Sequence, residues 1–355
     1  MNAAILAPRF PFPAQSMPAA TSRTLELVCP AGSLPSLRAA VDHGADWVYA
    51  GFRDETNARS FAGLNFSDAD LESGVRYAHA RRRRVLVAIN TYPQAANFAR
   101  WCAAVDRAAG VGADALILAD LGLIDYAARR HPRLAIHLSV QASATSYEAI
   151  NFYASRYPVR RAVLPRVLTL AQVASVVANV DTEIEVFGFG SLCVMVEGRC
   201  QLSSYVTGQG PNLAGVCSPG SAVRWRETAA GREVRLAGVL IDRLAAHETA
   251  GYPTLCKGRY VVEGTRYYPI EEPVSLNTLS LLPQLLEIGV RAVKIEGRQR
   301  SPAYVAQVTS VWRAAIDACA ADPERFAIDD AWSARLARVA EGQQVTLGVY
   351  HRAWR

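Results

Sequence analysis

Short apolar runs alternate with amphipathic segments along most of the chain, beginning at Leu25. The run 25–29 predicts a strand, and the segment after it, which Ser33 can cap and Gly44 can end, predicts a helix. Further strands are predicted, with helical patterns between them, at 46–50, 85–89, 115–118, 134–138, 161–164 and 184–187. Such alternation is typical of a parallel sheet that is covered by helices.

The alternation stops at residues 188–273 and returns with a predicted strand at 291–295 and a long helix at 303–321. The interrupted stretch predicts two β-hairpins, at 223–239 and at 260–268. Eight strands in βα units predict an α/β fold, a (β/α)8 TIM-like barrel with a cysteine-containing insertion after strand seven. Because the insertion leaves from the carboxyl end of that strand, we expect it on the face where barrel enzymes carry their active sites.

The pattern divides the chain into five parts: a flexible leader at 1–23, barrel units one to seven at 24–187, the cysteine-containing insertion at 188–273, the last barrel unit at 274–322 and a C-terminal extension at 323–355. The leader contains four prolines and no continuous apolar region, which argues against a secretory signal. No run of about eighteen apolar residues occurs in the sequence, so we expect a cytoplasmic protein without a transmembrane segment.

The net charge of the chain adds little to the prediction of its fold or partners. The formal net charge of +6 and a pI near 9.0 would suit a protein that binds RNA or acidic ligands. The arginines, however, are spread along the chain and are not gathered into one basic arm. We therefore do not expect a nucleic acid as the partner on charge alone.

Four of the seven cysteines lie in the insertion, among glycine, proline and arginine rather than in an apolar pattern: Cys193, Cys200, Cys217 and Cys256. The remaining three fall in strand or helix patterns, where a buried thiol is the ordinary role. Six, sixteen and thirty-eight residues separate the four, without the paired Cys-x2–4-Cys knuckles that are common in structural zinc sites. A 4Fe-4S cluster, a zinc ion and unrelated buried thiols all stay open on spacing, and the cluster is favoured.

A second group of polar residues follows the ends of the predicted strands: Asn90, Asp120, Gln141, Arg166, Glu296 and Arg298. Side chains at these positions converge on one cavity in a barrel. We expect Glu296 and Arg298 to be catalytic, and Arg166, Asn90, Gln141 and Arg53, with Arg59 from the polar loop 51–66, to bind substrate. The alternatives are helix caps and hydrogen bonds for each residue, and a structural ion pair for Glu296 with Arg298.

Five segments resemble the collagenase-like peptidase-U family, in its iron-sulfur hydroxylase branch. They are Leu27–Ser33, Tyr49–Arg59, Gly190–Cys200, Tyr252–Tyr260 and Val293–Pro302, and the similarity runs from about Leu25 to the tail at Leu347–Trp354. Among these segments, Val-Lys-Ile-Glu-Gly-Arg at 293–298 carries both expected catalytic residues.

The resemblance implies a 4Fe-4S cluster held by Cys193, Cys200, Cys217 and Cys256. It further implies oxygen-independent hydroxylation of the aromatic ring of ubiquinone precursors, in a heterodimer with a UbiV-like sister protein. A lipid-carrier-like accessory protein would present the prenylated phenol, and prephenate would donate the hydroxyl group. Glu296 or Glu197 would move protons, and Arg166 and Arg298, together with Arg53 or Arg59, would bind the dicarboxylate.

Three other functions compete with this expectation. Relatives that hydroxylate RNA bases are the closest alternative, and the basic charge mildly favours them. Proteolysis is disfavoured because the sequence contains neither a nucleophile elbow nor a His-Glu-x-x-His motif. A non-catalytic cluster subunit that only supports its partner is the third.

Overall fold

The computed structural model describes residues 25–60, 63–196, 200–211 and 216–350. The predicted leader and Glu197 lie outside these residues. No helix in the described part of the chain is both long enough and apolar enough to cross a membrane.

Eight parallel strands form a closed barrel, which confirms the predicted TIM-like fold. They are β1 (Glu26–Pro30), β2 (Trp47–Ala50), β3 (Arg84–Ile89), β4 (Ala115–Leu118), β5 (Ala135–Leu138), β6 (Val159–Val163), β7 (Glu183–Ser191) and β14 (Ala292–Ile295). The last strand pairs with β7 on one side and with β1 on the other, and this closes the sheet. The strands are short and apolar on both faces because side chains fill the inside and helices cover the outside.

The outer layer consists of α1 (Leu34–Asp42), α2 (Asp68–His79), α3 (Phe98–Gly110), α4 (Leu121–Arg130), α5 (Tyr147–Ala154), α6 (Leu170–Ala178), α8 (Leu282–Ile288) and α9 (Pro302–Ala321). Most begin at a side-chain cap, such as Ser33, Ser67 or Asp120, which accepts a hydrogen bond from the first turn. Such a cap contributes about 1 kcal/mol. Asp120 thus takes the capping role that the sequence allowed.

The inside of the barrel is charged where the strands begin. Arg161 is fully buried and pairs with Glu26, Glu183 and Glu185, and Lys294 pairs with Glu185 at 2.7 Å. Breaking one partner of a buried pair costs about 3–5 kcal/mol, because it leaves a charge without compensation. This buried network closes the amino-terminal end of the barrel and leaves the carboxyl end, the mouth, for chemistry.

The insertion after β7 contains α7 (Gln201–Thr207), a three-stranded sheet and a separate hairpin. The sheet consists of β8 (Val223–Thr228), β9 (Gly231–Leu236) and β10 (Val239–Leu244), and the hairpin of β11 (Tyr260–Val262) and β12 (Thr265–Tyr267). Both predicted hairpins are present, and β10 adds a strand that the sequence reasoning did not separate.

Three elements near the C-terminus were not predicted: β13 (Ser275–Asn277), α10 (Asp330–Val339) and β15 (Val345–Thr346). Strand β13 pairs antiparallel with the end of β7, so β7 continues to Ser191 rather than ending at Phe187. Strand β15 pairs with β13 in parallel, which brings the C-terminal extension to the mouth.

Candidate active site at the mouth of the barrel

Arg298 is buried at the mouth, with 6% of its surface exposed. Its guanidinium donates a hydrogen bond to Asn57 Oδ1 at 2.5 Å and lies over the ring of Tyr49. Burial, with a smaller contribution from the charge of Arg59, lowers the pKa of Arg298 to about 10, against the opposite effects of Tyr49 and Glu296. Arg298 has no carboxylate partner among the described residues, so its charge favours an anionic ligand.

Two close approaches build this arrangement. A Cβ atom on Gly51 would lie 2.4 Å from Asn57 Nδ2 and 2.9 Å from Arg298 Nη1, so only glycine leaves room for both side chains. Asn57 Nδ2 donates to the carbonyl of Phe52 at 3.1 Å, which fixes the amide. The loop after β2 therefore holds Arg298 from one side.

Arg166 lies half-buried at the end of β6, with its guanidinium 3.6 Å from the ring centre of Phe187. Burial lowers its pKa, and the charges that act on it include those of Glu296 and Arg59. Since the same two residues act on Arg298, the three arginines, Arg59, Arg166 and Arg298, share one region of the mouth. We call them the arginine cluster. Such a set suits bidentate binding of carboxylates.

Glu296 does not form the ion pair with Arg298 that the sequence allowed, although both residues are described. Its Oε2 atom accepts a hydrogen bond from the backbone N–H of Ser191 at 3.3 Å. Gly190 makes this contact possible: its φ is +127°, and a Cβ atom there would lie 2.6 Å from Glu296 Cβ. The carboxylate is thus held at the end of β7, beside the arginine cluster.

The other expected substrate-binding residues connect loops. Asn90 Oδ1 accepts from the backbone N–H of Ala58 at 3.1 Å, and Gln141 is buried, with its carbonyl accepting from Tyr92. Arg53 is half exposed and donates to the carbonyl of Asn65, with Asp70 3.9 Å away. These contacts place Arg53 on the α2 side of its loop, whereas Asn90 and Gln141 support the mouth.

The four cysteines of the insertion are half-buried free thiols that share one neighbourhood. Burial raises the pKa of Cys200, Cys217 and Cys256, the last to about 11, and the charge of Cys193 acts on all three. Cys200 Sγ accepts from the backbone N–H of Ser203 at 3.3 Å, and Thr254 Oγ1 lies 3.5 Å from Cys256 Sγ. Thiols in such a setting lose their protons when a metal centre binds, and hydrogen bonds to sulfur are common around clusters.

Four cysteine thiols form the donor set that an iron-sulfur cluster takes. Across the described ranges, no three His, Cys, Asp or Glu side chains are grouped so closely that they could hold a single metal ion. A single zinc ion would need every sulfur about 2.3 Å from one centre. Two cations that follow Cys256 in the chain pair with acids: Lys257 with Glu341, and Arg259 with Asp242 and Glu248.

The cysteines adjoin the arginine cluster. The charge of Cys193 acts on the pKa of Arg166, and the charge of Arg59 lowers the pKa of Cys217 against the effect of burial. A carboxylate ligand that is bound by the arginines would therefore lie next to a group held by the four thiols.

An apolar groove of about 510 Å³ lies in the insertion. Among the residues that the structure describes, its walls are uncharged: Gln201, Leu202, Tyr205, Val206, Val239, Leu255, Tyr260 and Ile270. Two wall residues stand close to cluster ligands in the chain, Leu202 near Cys200 and Leu255 next to Cys256. Tyr205 at the rim is 93% exposed. Sequence reasoning missed the groove because its residues come from α7, β10, the 3-10 helix Leu255–Lys257, β11 and the segment after β12, and show no common period.

Comparisons with known proteins place this site in context. The sequence profile of peptidase family U32 matches residues 32–353. The chain is 33% identical over 298 residues to an uncharacterized protease of Methanocaldococcus jannaschii, and 31% identical over 322 residues to a tRNA hydroxylation protein of Bacillus subtilis. These alignments cover 82% and 90% of this chain, and the chain spans 65% and 70% of the two relatives' own lengths. A solved structure of a U32 peptidase overlays 84% of this chain and 100% of its own, with a TM-score of 0.46 and 11% identity.

Proposed function

The chain belongs to peptidase family U32, and from this premise we propose that it is the iron-sulfur subunit of an oxygen-independent hydroxylase of aromatic rings. The substrate that we propose is the ring of a prenylated ubiquinone precursor, which is the role of UbiU. The apolar groove beside Cys200 and Cys256 carries this proposal, because an uncharged groove suits an isoprenoid chain and disfavours a polyanion.

A 4Fe-4S cluster held by Cys193, Cys200, Cys217 and Cys256 would supply electron transfer or Lewis acidity next to the arginine cluster. The arginine cluster would bind a dicarboxylate hydroxyl donor such as prephenate and fix its orientation. Glu296, held by Ser191, would take or give the proton at the reacting oxygen.

Atoms and electrons balance without molecular oxygen if the donor is reduced as the ring is oxidised. A ring C–H bond becomes C–OH while the C–OH bond of the donor becomes C–H. A UbiV-like partner and a lipid-carrier-like protein would bring the prenylated ring to the mouth, since the chain must receive a poorly soluble substrate.

Hydroxylation of an RNA base is the second candidate. The B. subtilis relative, named as a tRNA hydroxylation protein, favours it, and so does the net charge of +6. Both candidate functions use the proposed 4Fe-4S cluster and the arginine cluster. They differ in the molecule that carries the ring, a prenylated quinone precursor or an RNA.

One experiment separates the two. Cells that lack the gene are grown without oxygen, and their quinones and hydrolysed RNA are analysed by mass spectrometry, with complementation by the wild-type gene as the control. Our proposal expects loss of hydroxylated quinone with unchanged RNA bases. If the quinone is normal and a hydroxylated RNA base is missing, our proposal is wrong and the second candidate function is supported. Iron and sulfide analysis of protein purified without oxygen tests the cofactor.

A further inference from the structure

Lys257 follows the ligand Cys256 directly, yet its side chain is only 2% exposed. Its ammonium group donates to Glu341 Oε2 at 2.5 Å and to Ser191 Oγ at 2.8 Å. Ser191 Oγ in turn donates to the same carboxylate oxygen at 3.1 Å. We call these three residues the clasp.

The clasp joins three parts of the chain that are distant in sequence. Lys257 belongs to the insertion, Ser191 ends β7, and Glu341 follows α10 in the C-terminal extension. The backbone N–H of Glu341 also donates to Ser275 Oγ in β13 at 2.8 Å, so its position is fixed by the sheet. A buried ammonium group is costly unless it is paired and hydrogen-bonded, which makes this contact specific in geometry.

The segment that carries Cys256 is otherwise short and held by few bonds. It is a three-residue 3-10 helix, Leu255–Lys257, whose first backbone bond runs from Lys257 to Thr254 at 3.1 Å. The carbonyl of Cys256 accepts from Glu271 at 3.0 Å. The hydroxyl group of Tyr260 also donates to the carbonyl of Leu255 at 2.9 Å, within the insertion. Among the described residues, the clasp is therefore the side-chain contact that ties this helix to the barrel.

We infer that the clasp positions Cys256 as a ligand, and that the C-terminal extension is thereby a structural part of the metal site. This inference rests on the proposed cluster, which gives Cys256 its role. Lys257, Glu341 and Ser191 act through Cys256 and are positioning residues.

The test measures how fast iron leaves the purified full-length protein in the presence of a chelator, without oxygen. Glu341→Gln and Lys257→Met each leave a buried charge without its partner, so each is expected to raise the release rate at least tenfold. The double variant removes both charges and is expected to release iron more slowly than either single variant. Glu324→Gln, an exposed carboxylate of the same extension, is the control and should match the wild type.

Hydrogen exchange of the metal-free protein gives a second readout that does not need the cluster. Peptides that cover residues 254–259 should exchange faster in Glu341→Gln than in the wild type and in Glu324→Gln. Ser191→Ala keeps the ion pair and should produce a smaller change, which covers the case in which Glu341→Gln does not fold. If wild-type protein purified without oxygen contains no iron, the proposed cofactor is wrong. The exchange measurement then still tests whether the clasp holds the segment that carries Cys256. Unchanged iron release together with unchanged exchange in Glu341→Gln would overturn the inference.

Discussion

Arg298 and Asn57 meet at the mouth of the barrel although 241 residues separate them in the chain. Asn57 Oδ1 accepts from the guanidinium of Arg298 at 2.5 Å and from the backbone N–H of Arg59 at 3.1 Å. One amide oxygen thus accepts from the guanidinium of Arg298 without neutralising its charge and also fixes the backbone of Arg59. A carboxylate at this position would compete with any anionic ligand.

Replacing Asn57 with Asp should therefore weaken binding of the dicarboxylate donor. The variant keeps the shape of the side chain and places a negative charge beside Arg298, so the KM for the donor should rise at least tenfold, about 1.4 kcal/mol. Asn97→Asp makes the same change at an exposed position on the rim and serves as the control. Equal donor KM values in the two variants would contradict the anion-binding role of Arg298.

Gly190→Ala should destabilise the fold more than a glycine replacement in open space. The new Cβ atom would meet Glu296 at 2.6 Å in a backbone conformation with φ of +127°, and each effect costs about 1–3 kcal/mol. Gly264→Ala is the matched control, since its φ is +81° and no atom lies within 4 Å of the added carbon. Urea denaturation of both variants measures the difference. Equal losses in the free energy of unfolding would mean that the close contact with Glu296 does not destabilise the Gly190→Ala variant.

Cys217→Ala should abolish or strongly reduce iron and sulfide binding and remove the visible absorption of the cluster. Cys102→Ala changes a half-buried thiol of α3 outside the site, so its iron content should equal that of the wild type. Metal analysis, absorption and EPR spectra of protein prepared without oxygen make the comparison. Stoichiometric zinc without a chromophore in the wild type would be incompatible with the proposed cluster.

Stability should depend on Glu26 in a pH-dependent way. Burial would raise the pKa of Glu26, but the positive charges of Arg161, Arg84 and Arg291 lower it from 4.5 to about 2. A carboxylate with a depressed pKa stabilises the fold above pH 4.5 and loses this effect as the pH falls toward 2. The free-energy gap between wild type and Glu26→Gln should therefore narrow by about 1.4 kcal/mol from pH 6.5 to pH 3.5. Denaturation curves at both pH values test this, and a gap that stays constant would exclude the linkage.

The strands and both hairpins could be predicted because their signals are local: apolar runs, caps and turn residues within a few positions of each other. Arg166 and Arg298 could be named as candidates because a barrel brings strand ends together. That Arg298 pairs with an amide could not be predicted, because it depends on Asn57 lying where an acid would have neutralised the guanidinium. The contact between Lys257 and Glu341 was equally hidden, because it needs β13 and β15 to carry the C-terminal extension to the mouth.

The apolar groove should bind the isoprenoid chain of the substrate, and a charge on its wall should weaken that binding. Ile270 is half exposed on its wall, so Ile270→Asp would place a charge where an isoprenoid chain is proposed to lie. Desolvating that charge should raise the KM for the prenylated substrate at least tenfold, while a ring analogue without the chain should react as with the wild type. Val261→Asp changes an exposed residue of the β11–β12 hairpin that does not line the groove, and it should leave both values unchanged. The analogue has the ring but lacks the isoprenoid chain. An equal rise in KM for both substrates would therefore show that the groove does not bind the isoprenoid chain.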